Sequence, residues 1–157
     1  MISCFANVVF PERDCPKTTI LSSMLSIVTV NFNSYDWLNI LLESLELFTK
    51  CPYEIIVVDN SCKPLKLNNL KQIINYENVG HGEGLNQGAE EATFDFVLFL
   101  DVDCHALSYG WEKPFFELAK EYDVIGGKGS PQKPIRPSCM FLKKEIAQKY
   151  DWRATPG

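Results

Sequence analysis

No run of about eighteen apolar residues occurs in this 157-residue chain, so no membrane-crossing helix is encoded. The nearest stretch, ILSSMLSIVTV, is too short and too rich in hydroxyls. The N-terminus lacks a basic region followed by an apolar stretch, so no secretory leader is legible. Positive charge is in deficit: 15 Lys and Arg face 20 Asp and Glu, and the net charge of −5 argues against nonspecific affinity for nucleic acid. The short basic runs KPLK and KK do not change that balance. None of the cysteines at 4, 15, 51, 62, 104 and 139 forms CxxC, so a structural zinc site is not expected. Buried or free thiols in a reducing cytoplasm fit this usage, with peripheral contact at a membrane left open. A disulfide stays open for a hyperthermophilic source. There is no GK[ST], and no GxGxxG followed by an acid on the next strand, so the P-loop and Rossmann dinucleotide readings fail. No internal repeat or low-complexity segment is present.

What is there reads as one ordinary globular domain. Residues 1–23 carry scattered charge and no sustained period. They read as an extension, with a short strand over 7–10, before a single domain over 24–157. LSIVTVNF (25–32) is a β-branched run and predicts a buried strand. Ser34 is placed to cap a helix over YDWLNILLESLELF, with Asp36 favouring its dipole, Lys50 in its last turn and Pro52 blocking continuation. EIIVVD predicts a second strand and KQIINYE a third. A glycine-rich loop leads into a helix from Gly84 to Ala92, and FDFVLFLD is the strongest strand. A helix over 109–122 follows, with Pro114 in its first turn, then a strand in YDVIGG. GKGSPQKPIRP reads as a loop, SCMFL as a short strand and KKEIAQKY as a final helix. The order predicts an α/β fold with a mostly parallel sheet covered by helices on both faces.

In such sheets ligands bind beyond the carboxyl ends of the strands. Polar residues stand at those ends: Asn31 and Asn33, Asp59 and Asn60, Asp101 and Asp103. Three strands delivering polar groups to one edge is hard to explain structurally. Continued as a strand, residues 101 and 103 would share a face, with Val102 on the other. Two carboxylates there repel unless a hard cation such as Mn²⁺ or Mg²⁺ sits between them. Because Mg²⁺ usually takes only one or two carboxylates and completes its shell with phosphate and water, a diphosphate is its natural partner. The bland alternative is an exposed turn with two solvated acids. The second constellation is NVGHGEGLNQGAEEA (78–92). Its glycines would allow close backbone approach to a ligand at a helix N-terminus, or else mark a turn and close packing at Gly88.

TVNFNS, VVDNS, N-x-G-x-G-x-G-x-N-x-G and LFLDVD, in this order and at these intervals, resemble the family 2 glycosyltransferases of the GT-A fold. The rhamnosyltransferase-like branch has a glycine loop of this form. The likeness covers about residues 25–105 well, as a nucleotide-binding half, and 106–157 more weakly, as an acceptor half that is short for the family. The resemblance implies that Asn31 and Asn33 sit beside the nucleotide with Asn60, and that Asp59 accepts a hydrogen bond from a pyrimidine N–H. It places Asn78, Gly80, Gly84 and Asn86 around the nucleotide and donor pocket, Asp101 on the ribose and metal side, and Asp103 on the metal. Asn31-Phe32 stands where many members have Pro before a Tyr-Asn pair. Leu85 stands at a position that is often Arg. The Glu-Asp pair usual in the second half is missing after residue 106.

The implied reaction moves a sugar from a UDP- or dTDP-sugar to an acceptor hydroxyl on a glycan, lipid-linked sugar or protein, with inversion and with a carboxylate taking the acceptor's proton. Among the late acids, Asp151 is the first candidate base and Glu145 the second, with Trp152 and Arg153 shaping the sugar or acceptor pocket. His105 is a candidate addition to the metal shell, and His81 is undetermined. Two rivals remain. One is a catalytically inert nucleotide-sugar-binding protein. The other is a phosphatase of the DxD type, which wants Thr or Val where His105 stands and more than the roughly fifty residues that follow.

Overall fold

The structure is a computed structural model that describes residues 24–64, 66–68, 70–130 and 133–154. The extension and the strand expected at 7–10 lie outside the described residues. Six strands form one sheet in the order β3-β2-β1-β4-β6-β5. They are β1 (Leu25–Asn31), β2 (Tyr53–Asp59), β3 (Lys71–Ile74), β4 (Phe96–Leu100), β5 (Val124–Ser130) and β6 (Lys133–Lys143). The helices are α1 (Tyr35–Phe48), α2 (His81–Glu91), α3 (Lys113–Leu118) and α4 (Lys144–Lys149), followed by a 3₁₀ turn at Trp152–Ala154. β1 to β4 are parallel, and β6 joins β4 and β5 antiparallel.

Both faces of the sheet are buried, which is why its strands read as continuous apolar runs. The period of two sorts them. Val28, Val30, Val97, Phe99, Met140 and Leu142 pack with Leu85 and Ala89 of α2 and Ala147 of α4. Leu25, Ile27, Leu98, Leu100 and Phe141 pack with Leu38, Leu41 and Leu45 of α1, and against Phe115 and Phe116 of α3. A face of this size contributes on the order of 2 kcal/mol per fully buried large apolar side chain.

Four expectations change. Ser34 makes no side-chain capping bond. Its N–H donates instead to Asn31 Oδ1 at 3.2 Å, so the strand-end amide fixes the entry to α1. α1 also ends at Phe48, so Lys50 lies beyond it, with its ammonium 4.4 Å from the centre of the Tyr109 ring. The helix expected over 109–122 shrinks to α3, because Gly110 adopts φ +69° and its N–H closes on Phe48 O at 3.0 Å. GKGSPQKPIRP is no loop. It supplies the end of β5 and the start of β6, paired Gly127↔Arg136, Lys128↔Ile135 and Ser130↔Lys133. Since Cys139 pairs with Leu100, the stretch of β6 before it overhangs the carboxyl edge of β4 as a two-stranded ribbon. Proline is tolerated in such a ribbon, where one side has no ladder partner.

The strand order reverses at β1, which has β2 on one side and β4 on the other. The chain winds outward from β1 to β3, then returns to β4. The crevice at the carboxyl ends of β1 and β4 is therefore the position where α/β sheets bind ligands.

Candidate active site

The end of β1 is tied to the end of β2 by their side chains as well as their ladder. Asn31 and Asp59 are register partners, both fully buried. Asn31 Nδ2 donates to Asp59 Oδ1 at 3.2 Å and to Ser61 Oγ at 3.1 Å. Asp59 Oδ1 also accepts from the Ser61 N–H at 3.0 Å, and Oδ2 accepts from the Tyr35 hydroxyl at 2.6 Å. Several donors offset the cost of burying this carboxylate. Asp59 thus acts as a hub beneath the edge, with Gln72 Nε2 also 3.5 Å from its Oδ2. Asn33 is exposed at φ +53°, its N–H donating to Ser61 Oγ at 2.8 Å.

Asn60 extends the network toward α2. Its Nδ2 donates to Gly80 O at 3.1 Å, and its Oδ1 accepts from Asn75 Nδ2 at 2.8 Å. Asn75 Nδ2 in turn reaches Gln87 Oε1 on α2 at 2.8 Å. Asn78 is exposed, and its Oδ1 accepts from the Gly80 N–H at 2.9 Å, closing the turn before the helix. The sequence placed Ser61 inside the VVDNS stretch, but Tyr35, Asn75 and Gln87 carried no comparable signal.

The glycines divide by role. Gly80, at φ +91°, is the N-cap of α2, and a side chain there would meet open space; the turn's conformation is what selects glycine. A Cβ on Gly84 would lie 2.8 Å from Val30 Cγ2, and one on Gly88 would collide with Val28 Cγ1. A Cβ on Gly82 would collide with the Trp152 carbonyl. These three let α2 lie flat on β1 and against the 3₁₀ turn. Gly84, read from the sequence as pocket lining, faces the core. α2 also starts three residues earlier than expected, at His81.

β4 stops at Leu100, and the acidic pair sits in a turn closed by the Cys104 N–H on Asp101 O at 3.0 Å. The alternation of a continuing strand therefore does not orient Asp101 and Asp103. The Asp101 N–H is held by Ser138 O of β6 at 2.9 Å. Burial pushes the Asp101 carboxyl above its ordinary range; His81, with Nε2 at 3.6 Å from Oδ1, opposes this, and Asp103 reinforces it. Asp103 is exposed. Among the described residues no group of three or more His, Cys, Asp or Glu side chains forms a complete metal cage. Two neighbouring carboxylates do suit a divalent ion whose shell is completed by phosphate and water. Cys51, Cys62 and Cys139 are free thiols.

The late carboxylates separate. Glu145 lies in the first turn of α4, which starts where Lys143 pairs with Phe96, at the amino end of β4. That is the edge opposite Asp101, so the structure does not bring Glu145 to the site. α4 then runs back, and the Trp152 N–H meets Asn86 Oδ1 at 3.0 Å. Asp151 is exposed, accepts from Asn86 Nδ2 at 3.0 Å, and is clasped by Arg153. Those hydrogen bonds, Arg153 first and Asn86 next, hold its carboxyl well below the ordinary range. Arg153 also lies 3.5 Å from Glu83. Together these residues line a cleft of about 380 Å³ between α2 and α4, with Gln148 and Tyr150. Trp152 itself is packed edge-on against Phe99, with centroids 5.0 Å apart. Glu112, another late acid, is buried and caps the backbone N–H groups of Lys50 and Cys51, each at 3.1 Å.

A parallel sheet with its reversal at β1, an antiparallel β6, and polar groups gathered at the carboxyl edge define the GT-A class of glycosyltransferase fold. The sequence pattern of glycosyl transferase family 2 matches residues 26–134, and the chain belongs to that family. An uncharacterized glycosyltransferase of Bacillus subtilis (strain 168), YwdF, is 38% identical over 86 residues, which are 50% of this chain and 32% of that protein. TarS 1–349 of S. aureus in complex with UDP-GlcNAc superposes with a TM-score of 0.59 at 23% identity, over 78% of this chain and 46% of that one. The mannosyltransferase PcManGT of Pyrobaculum calidifontis, in complex with GDP-Man and Mn²⁺, gives a TM-score of 0.62 at 13% identity, over 80% of this chain and 46% of that one. At these identities the solved structures show the fold. The chain spans about a third of the curated relative and just under half of each solved chain. No described helix is long and apolar enough to cross a membrane.

Proposed function

We propose that the chain carries the donor-binding side of a metal-dependent, inverting glycosyltransferase that uses a UDP- or dTDP-sugar. The observation that carries this reading is the convergence on one edge of Asn31, Asp59, Asn60, Asp101 and Asp103 from the ends of three strands. Complexes of similar folds with UDP-GlcNAc, and with GDP-Man and Mn²⁺, support it. The form of the glycine loop favours the rhamnosyltransferase-like branch.

Asp101 and Asp103 would hold Mn²⁺ or Mg²⁺, which supplies positive charge where the leaving diphosphate gains negative charge. Asn31, Asn33 and Asn60 would border the base and ribose, and Asp59 would either position them or receive the base N–H after Tyr35 moves. Asn78 and Gly80 would present the turn ahead of α2 to the donor, and Asn86 would hold the far side through Asp151. The acceptor would be a glycan, a lipid-linked sugar or a protein hydroxyl, losing its proton to a carboxylate. Asp151 is the late acid that returns to α2, and it would have to leave Arg153 to serve. That engagement also favours a second reading, a nucleotide-sugar binder without turnover. Calorimetry with UDP-, dTDP- and GDP-sugars in Mn²⁺ tests both: transfer requires binding plus product, the inert binder gives binding alone, and no binding by any of them defeats both.

A further inference from the structure

The first turn of α1 meets the segment after the acidic turn at the same edge of the sheet. Trp37 is 51% exposed and stacks on His105, with ring centroids 5.8 Å apart and planes inclined by 16°. Each ring stands two residues from a group of the candidate site: Trp37 from Tyr35, which holds Asp59, and His105 from Asp103. The Ala106 N–H donates to Ser44 Oγ at 3.1 Å, which pins the segment along α1 and keeps the imidazole beside the indole. His105 Nε2 is enclosed and has no hydrogen-bond partner among the described residues.

The fold does not need this indole. Leu38, Leu41 and Leu45 already supply the buried face of α1. With one face of Trp37 covered by His105, the exposed area belongs to the remaining face and edge. Asn33, Asp36, Asn39 and Asp103 are exposed near it in the chain, as are the apolar Phe32 and Ile40. An exposed indole face with amides and carboxylates near it in the chain suits a pyranose, which stacks through an apolar C–H face and carries hydroxyls at its perimeter.

We propose that the Trp37–His105 stack is a saccharide platform, on which a pyranose ring of a glycan acceptor docks beside the acidic turn. This rests on the glycosyl-transfer reading and adds the acceptor's class. The platform is fixed in advance by the stack, so little ordering is needed on binding.

The test titrates the full chain with chitotriose, cellotriose, maltotriose and an α-linked mannotriose by saturation-transfer NMR and calorimetry, each with and without UDP and Mn²⁺. At least one trisaccharide should bind. Trp37→Ala should weaken it about tenfold, Trp37→Phe should retain most of the affinity, and neither should change UDP affinity. Binding of UDP with none of the four sugars, equal sugar binding by Trp37→Ala, or Trp37-dependent binding to phosphatidylcholine vesicles in place of sugars would each overturn the platform. Failure of UDP to bind the unaltered chain would instead defeat the donor reading, while the nucleotide-free titration still decides the platform.

Discussion

Arg153 clasps Asp151 at two points, with Nε 2.9 Å from Oδ1 and Nη2 2.7 Å from Oδ2. A carboxylate held this way is a weak proton acceptor, because the guanidinium favours its charged form. Arg153→Ala should return the Asp151 carboxyl toward its ordinary range. If Asp151 takes the acceptor's proton, the acid limb of kcat/KM moves to higher pH in Arg153→Ala, and turnover falls sharply in Asp151→Asn with donor affinity intact. An acid limb that stays in place removes Asp151 from the proton path.

The Tyr35 hydroxyl donates to Asp59 Oδ2 and would compete with a pyrimidine N–H if Asp59 receives one. Tyr35→Phe should cost about 1 kcal/mol of stability by loss of one buried hydrogen bond. The same change should tighten UDP binding if the base reaches Asp59. Weaker binding would mean that the hydroxyl itself serves the nucleotide. Paired thermal melts and UDP titrations read both effects.

Gly88 lies where α2 presses on β1. Gly88→Ala would drive a methyl into Val28, an overpacking that costs roughly 1–3 kcal/mol. Val28→Ala in the same chain should restore part of that loss, giving a favourable coupling in a double-mutant cycle of denaturation midpoints. Additive losses would show that α2 does not rest there.

Burial alone would raise Glu54, but hydrogen bonds from Lys71, Thr93 and Ser26 outweigh it and bring its carboxyl down to about 2. A lowered carboxyl contributes stability above its unfolded value near 4.5 and loses it as pH falls through about 2. Glu54→Gln should therefore melt lower at pH 7, by on the order of 1–2 kcal/mol after allowance for solvent screening. The gap should close between pH 4.5 and pH 2 in melts across that range. A gap independent of pH would assign the effect to packing.

The strands and the long helix α1 were legible because burial on both faces leaves unbroken apolar runs, and because Leu38, Leu41 and Leu45 recur at helical spacing. The ends of β1, β2 and β4 were legible as a polar edge because amide and carboxylate side chains interrupt the apolar runs there. The β5–β6 ribbon was not, since Pro134 and Pro137 argue against a strand unless its neighbours are known. α2 was half legible. Gly80, Gly84 and Gly88 recur every four residues, a helical face of small residues, but low intrinsic propensity and the ligand role of glycine loops masked it. Tertiary packing against Val28 and Val30 decides the matter. The choice between Asp151 and Glu145 depended on which sheet edge each reaches, and that follows from the antiparallel pairing of β6, which spacing alone does not reveal.

The most direct measurement is calorimetric titration of UDP into the whole chain with and without Mn²⁺, repeated with Asp103→Ala. The account predicts a Mn²⁺-dependent gain in affinity for the unaltered chain. It predicts loss of that gain in Asp103→Ala, whose melting temperature stays unchanged because Asp103 is exposed. UDP affinity indifferent to Mn²⁺, or a variant that keeps the gain, would contradict the claim that this acidic turn seats a cation for a nucleotide diphosphate.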